Sequence, residues 1–203
     1  MTTEEHKGTE TQMSIMVDKN LSIVLLSGLP GVGKTTLIRK VCQELLEKHN
    51  INCDGFYTEE VRDSNRQRIG FDVITITDNK SSKLARTDAN IKCPFVGKYA
   101  VFVKEFEDLA LPLLRQSKTL QLLVMDEIGK MELKSKRFES AVYNCVEVGA
   151  TIFATVPFEM RQPLPLVEKL KTHPKAKTIV VTKENRNHLQ NEIVDILLKM
   201  ISK

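Results

Sequence analysis

The residues best suited to chemistry in this 203-residue chain stand together in Gly28-Leu29-Pro30-Gly31-Val32-Gly33-Lys34-Thr35, with Thr36 beside them. The stretch fits G-x-x-x-x-G-K-[ST], a backbone cradle for phosphate. Gly28, Gly31 and Gly33 let the chain wrap tightly with its N–H groups turned inward. Lys34 has the reach and charge to meet β- and γ-phosphates, which also makes it a candidate catalytic group. The Thr35 hydroxyl suits a Mg²⁺ shell. Thr36 belongs to the nucleotide-binding stretch, with its own hydroxyl expected to pack or cap.

A second pair suits the same chemistry. Asp126 and Glu127 follow the apolar run Leu120-Gln121-Leu122-Leu123-Val124-Met125. Both therefore fall at the carboxyl end of a strand, the edge where open α/β sheets bind ligands. Asp126 is the candidate for holding Mg²⁺ together with Thr35. Glu127, one residue on, points to another side of the site and is the candidate for polarising an attacking water.

These groups need elements to position them. Residues 21–27 form a mostly apolar run, which predicts a buried strand leading into the loop. Leu37, Ile38, Val41, Leu45 and Leu46 recur at helical spacing after it, ending at Asn50, which can take a left-handed cap. The helix start adds its positive dipole end to the phosphate site. Beyond it, 51–61 and 68–77 predict a β-hairpin around Asp63-Ser64-Asn65, 78–95 a loop, and 95–103 a short strand. A helix carries Phe106, Leu109 and Ala110, with Pro112 kinking or breaking it.

After the Asp126 strand comes an amphipathic helix through Phe138, Val142 and Cys145, stopped at Gly149. Then follow a strand at 151–156, a short helix with Leu166, Val167 and Leu170, a last strand at 178–181, and a final helix. Asn187 and Gln190 suit a capping box for that helix. Strands alternating with helices predict an α/β fold: a mostly parallel sheet with helices on both faces and an added β-hairpin. Residues 1–19 are polar and predict a disordered tail, and 20–203 a single domain.

Val181-Thr182-Lys183-Glu184-Asn185-Arg186 occupies the place of a base-reading loop. Regulatory GTPases carry Asp where Asn185 stands. A neutral amide offers both an acceptor and donors, so it predicts weak base discrimination rather than strict guanine selection. A plain Asn-capped turn is the structural alternative. Arg186 and Arg161 are candidates for placing positive charge near a transferring phosphoryl group. Glu59, Glu60 and Arg62 end the second strand near the same rim, where they can meet a nucleophile or substrate or form a surface ion pair.

Composition narrows the classes. Hydrophobic residues are 41% and charged residues 28%, ordinary for a soluble globular chain. The net charge of +4 is mild and its basic residues lack an interleaved aromatic cluster, so no nucleic-acid partner is expected. The four cysteines have no C-x-x-C spacing, which argues against zinc and for reduced thiols. No eighteen-residue apolar run or signal pattern is present, so no membrane partner is expected and the compartment expected is cytoplasmic. A monomer is expected.

Several blocks together carry a resemblance. The phosphate loop Gly28 to Thr36, Gly55-Phe56-Tyr57-Thr58-Glu59-Glu60-Val61-Arg62, Arg68-Ile69-Gly70-Phe71-Asp72, Met125-Asp126-Glu127-Ile128-Gly129-Lys130-Met131-Glu132 and the Val181 to Arg186 stretch resemble the cancer-related nucleoside-triphosphatase family, the THEP1-type P-loop NTPases. The likeness runs from about Leu21 to the C-terminus. It implies a RecA-like P-loop domain and Mg²⁺-dependent hydrolysis of ATP, GTP, CTP and UTP to diphosphate and phosphate. It also implies that the strand after the Asp126 strand lies between that strand and the loop strand, which places Thr155 near the γ-phosphate.

The leading reading is thus a nucleoside-triphosphate hydrolase. The runner-up is a nucleotide or small-molecule kinase on the same fold, which needs a second pocket and usually an Arg-rich lid. A nucleotide-dependent switch is a third reading, set back by the absent base-reading Asp.

Overall fold

A computed structural model of the chain describes residues 20–87, 92–115, 119–159 and 161–202. The tail expected at 1–19 lies outside the described residues. The elements run β1 (Ile23–Gly28), α1 (Lys34–His49), β2 (Cys53–Arg62), β3 (Arg68–Thr75), β4 (Ser81–Arg86), β5 (Phe95–Val96), β6 (Tyr99–Val101), α2 (Val103–Leu113), β7 (Leu122–Met125), a 3-10 turn at Glu132–Lys134, α3 (Lys136–Glu147), β8 (Ile152–Pro157), α4 (Pro165–Lys171), β9 (Ala176–Val180) and α5 (Leu189–Ile201).

The strands join one sheet in the order β5-β6-β4-β3-β2-β7-β8-β1-β9. From β2 to β9 every pairing is parallel. That half reads as continuous apolar sequence because helices cover both its faces. All of β1 and β7 is buried, and β8 is buried up to Val156. β8 lies between β7 and β1, the order that the resemblance implies.

The two faces bury separate cores. On one, Leu37, Ile38 and Val41 of α1 meet Ile193, Ile196 and Leu197 of α5 over Val24, Leu26 and Phe153. On the other, Phe56, Phe106 and Phe138 bring together β2, α2 and α3 in edge-to-face contacts, with centroids 5.0–5.8 Å apart. Among the described residues no helix is long and apolar enough to cross a membrane.

The other half of the sheet is antiparallel and larger than the hairpin expected. β2 pairs in parallel with β7 through Phe56, then antiparallel with β3 as far as Arg62. β4 then pairs with β3, and β6 joins β4 to β5. The loop expected at 78–95 therefore contains a strand; its positions 88–91 lie outside the described residues. Ser81-Ser82-Lys83-Leu84-Ala85-Arg86 lacks β-favouring composition, and only Leu84 and Ala85 are buried. Its ladder with β3 makes it a strand, a non-local cause that local propensity does not register. The short strand expected at 95–103 is a hairpin turning at Gly97-Lys98, with α2 beginning at Val103.

Helix ends follow the sequence in most places. Asn50 takes φ 52° and closes α1 with its N–H on the Leu45 carbonyl, and Gly149 at φ 77° follows α3. Pro112 falls in the last turn of α2. The capping box expected for α5 does not form. His188 precedes the helix without a side-chain cap, and Gln190 Nε2 instead donates to Glu44 Oε2 of α1 at 2.6 Å. A tertiary bond between the two helices takes the side chain that local capping would have used.

Candidate active site

The phosphate loop joins β1 to α1 as the sequence requires. Gly33 precedes the helix at φ 108°, a left-handed position that a residue with a Cβ adopts only under strain. Leu29 is 64% exposed, while Val32 is buried and anchors the loop. Pro30, Gly31, Gly33, Lys34, Thr35 and Thr36 line a cavity of about 700 Å³. Thr36 is exposed on the wall of that cavity, rather than packing or capping as expected. Lys34 Nζ donates to the Gly28 carbonyl at 2.9 Å and the Leu29 carbonyl at 3.4 Å. The ammonium is thus folded onto its own loop.

Asp126 and Glu127 enter the same cavity from the end of β7. Asp126 is 2% exposed. The Thr155 hydroxyl, at the matching end of β8, donates to its Oδ1. Its Oδ2 is buried and has no hydrogen-bond partner among the described residues. Burial raises the Asp126 pKa, while the Thr155 and Thr35 hydroxyls and the Lys34 charge pull it down. A buried, orphaned carboxylate oxygen beside a threonine hydroxyl is a hard-oxygen donor set that fits Mg²⁺. Asp126 and Thr35 would hold the ion.

Glu127 is half-buried, and burial with the nearby Asp126 charge raises its pKa against the pull of Lys34. A third carboxyl group joins this pair. Glu132, in the 3-10 turn, is 4% exposed and accepts the Gly129 N–H on Oε2 at 3.1 Å. Burial first, then the Glu127 charge, pushes it up to about 8, so it keeps its proton at neutral pH. Gly129 sits between the two groups. A Cβ there would lie 2.5 Å from Glu127 Oε1 and 3.1 Å from Glu132 Oε2. In the sequence Glu132 closes the block that begins at Met125 and stands, with Glu59 and Glu60, as an alternative to Glu127 for the catalytic carboxylate. An acidic residue set between the apolar Met131 and Leu133, two residues after the exposed Lys130, is the signal that points to it.

The other candidates divide. Glu59, Glu60 and Arg62 all line the cavity, and all are in ion pairs. Glu59 pairs with Arg39 at 3.6 Å, and Glu60 bridges Arg62 and Arg68. Arg39 stands over the Tyr57 ring at 4.8 Å. Arg39 and Lys130 also line the cavity, and sequence spacing did not single them out.

Asn185 and Arg186 lie on the opposite side, in the β9–α5 loop. Asn185 Oδ1 accepts the Thr182 N–H at 2.8 Å and its Nδ2 donates to the Val180 carbonyl at 2.9 Å. Its amide therefore holds the turn, the arrangement of the structural alternative. Arg186 Nη1 donates to the Val32 carbonyl at 3.1 Å, fastening this loop against the phosphate loop. Arg161 is exposed and does not line the cavity.

A glycine-rich loop between β1 and α1, with an acidic pair at the end of β7 and β8 between them, defines a P-loop NTPase of α/β architecture. The model of the NTPase family matches residues 23–194, and the chain belongs to that nucleoside-triphosphatase family. It is 44% identical over 182 residues to the cancer-related nucleoside-triphosphatase homolog of Bos taurus, covering 84% of this chain and 94% of that protein. It is 40% identical over 176 residues to nucleoside-triphosphatase THEP1 of Thermotoga maritima, with 86% and 94% covered. The crystal structure of THEP1 from the hyperthermophile Aquifex aeolicus superposes with a TM-score of 0.74 at 36% identity, covering 86% of this chain and 98% of that one.

Proposed function

We propose that this chain hydrolyses nucleoside triphosphates to diphosphate and phosphate, with Mg²⁺ and little base discrimination. The observation that carries this reading is the convergence of Lys34, Thr35, Asp126 and Glu127 on one cavity, in a chain whose relatives are named nucleoside-triphosphatases. Those names do not favour a kinase on the same fold.

The loop N–H groups and Lys34 hold the phosphates, with Lys34 exchanging its loop carbonyls for phosphate oxygens. Mg²⁺, when bound, supplies charge neutralisation on the phosphates. Glu127 orients the attacking water and takes its proton. Its raised pKa makes it a stronger base than an ordinary carboxylate. Glu132, protonated at neutral pH, adds no second charge beside it. Thr155 fixes one oxygen of Asp126 and leaves the other for the cation.

Weak base discrimination draws support from the Asn185 amide, which is spent within its own turn. The proposal extends to a cytoplasmic monomer without nucleic-acid or membrane partners, and the mild net charge of +4 supports the absence of a nucleic-acid partner. The test is phosphate release from ATP and Mg²⁺ with no acceptor present. Wild type should turn over, and a folded Lys34→Ala variant should lose phosphate binding and activity together. Near-normal turnover by that variant would remove the phosphate loop from the mechanism.

A further inference from the structure

The cavity is longer than the phosphate loop requires. From Lys34 and Glu127 it continues past Thr58 to Arg62, Arg68 and Phe71, with Leu84 of β4 and Val96 of β5 on its walls. Four strand steps separate β1 from β3, roughly 19 Å at about 4.8 Å per step. The β9–α5 loop flanks the phosphate loop on the other side of β1, where Arg186 bonds Val32, and neither Asn185 nor Arg186 lines the cavity. A triphosphate in the loop with its base toward β9 leaves the far end of the cavity open.

That far end is built rather than merely vacant. Arg68 Nε donates to the Tyr99 hydroxyl at 3.0 Å, Nη1 donates to Glu60 at 2.7 Å, and the guanidinium stands over the Phe71 ring at 5.2 Å. Arg62 shares Glu60 and donates to the Arg66 carbonyl at 2.8 Å. Both guanidiniums are therefore held in place before any ligand arrives, and each has N–H groups beyond those these bonds use. Arg62 and Arg68 share one carboxylate, Glu60, while Glu59 is paired with Arg39, so these two guanidiniums carry one positive charge more than the carboxylate between them. Beside these two guanidiniums stand the apolar side chains of Phe71, Leu84, Val96 and Met131. Fixed cations next to an apolar wall, open to solvent, recognise an anion that carries a ring or other apolar body.

We infer that the far end of this cavity is a second ligand subsite, which binds a small aromatic anion beside the terminal phosphate of a triphosphate held in the loop. The anionic group meets Arg68 and Arg62, and the ring lies against Phe71 and Met131. The inference rests on the reading that the triphosphate fills the phosphate loop.

The experiment uses the full chain loaded with Mg²⁺ and a non-hydrolysable triphosphate analogue, titrated calorimetrically with phenyl phosphate. Inorganic phosphate serves as the ring-free control. Phenyl phosphate should bind the loaded protein, at least tenfold more tightly than inorganic phosphate. Arg68→Gln and Phe71→Leu should each weaken it at least tenfold, with melting temperature and the KM for ATP close to wild type. No binding to the loaded protein, or equal binding by wild type and Arg68→Gln, overturns the inference. A tenfold rise in the KM for ATP in Phe71→Leu also overturns it, because the base then occupies this end. Should the triphosphate analogue itself fail to bind, the hydrolase reading falls first. Phenyl phosphate is then titrated into the nucleotide-free protein. Loss in Arg68→Gln with retention in Lys34→Ala supports the subsite, and the reverse places the probe in the loop and overturns it.

Discussion

Asp126 and Glu127 are neighbours in the chain with different surroundings, and the difference predicts different losses. Asp126 is enclosed, with one oxygen on Thr155 and the other orphaned. Glu127 is less enclosed and meets Lys34 across the cavity. Glu127→Gln keeps the shape but removes the base, so kcat should fall by about 10²–10⁴-fold while affinity for nucleotide and Mg²⁺ changes little. Asp126→Asn should instead weaken the response to Mg²⁺ concentration, measured by titrating the metal at fixed ATP. If Glu127→Gln hydrolyses at the parent rate, the base is another carboxylate.

Glu132 gives a prediction of its own. The unfolded chain releases this proton near 4.5, whereas the folded protein holds it to about 8. Between those values the folded state binds more protons, so this group's contribution to stability is lost as pH rises through that window. Glu132→Gln cannot titrate. Without nucleotide, its melting temperature should fall less than wild type's between about pH 5 and 8. Parallel curves for the two proteins would show that Glu132 is ionised in the fold.

At the scale of elements, the turn after β7 sets the distance between the acids. Gly129 is the one position there where a methyl group would strike both Glu127 and Glu132. Gly129→Ala should therefore displace the base without touching the loop. A shift near 1 Å can cost on the order of 10²-fold in rate, so kcat should fall by that order with KM little changed. A rise in KM instead would mean that the turn shapes phosphate binding. Behind this turn, Phe138 of α3 packs on Phe56 and Phe106 and fixes how the turn meets β2.

For the whole molecule, the sheet order separates two regions about the phosphate loop. On the β9 side the loop is fastened by Arg186, and Asn185 is committed to its turn. On the β2 side the cavity runs out over the antiparallel extension. Steady-state kinetics on ATP, GTP, CTP and UTP should give kcat/KM values within about tenfold of one another. A preference near a thousandfold, about 4 kcal/mol, would mean that a selective base pocket exists.

The chain's own order of residues determined the phosphate loop, the acidic strand end and the parallel half of the sheet. Those features are local: a glycine pattern between an apolar strand and an amphipathic helix, and apolar runs long enough to be buried on both faces. The caps at Asn50 and Gly149 were legible for the same reason. Tertiary structure decided the rest. β4 exists because β3 offers it a ladder, not because Ser81 to Arg86 favours a strand. Gln190 reaches α1 rather than its own helix end. Glu132 holds a proton only because folding buries it against Glu127, and Arg62 and Arg68 flank one carboxylate only because β2 and β3 pair. Burial and non-local pairing fix the charge state of a carboxyl group and the company of a guanidinium, and neither is written in the spacing of residues along the chain.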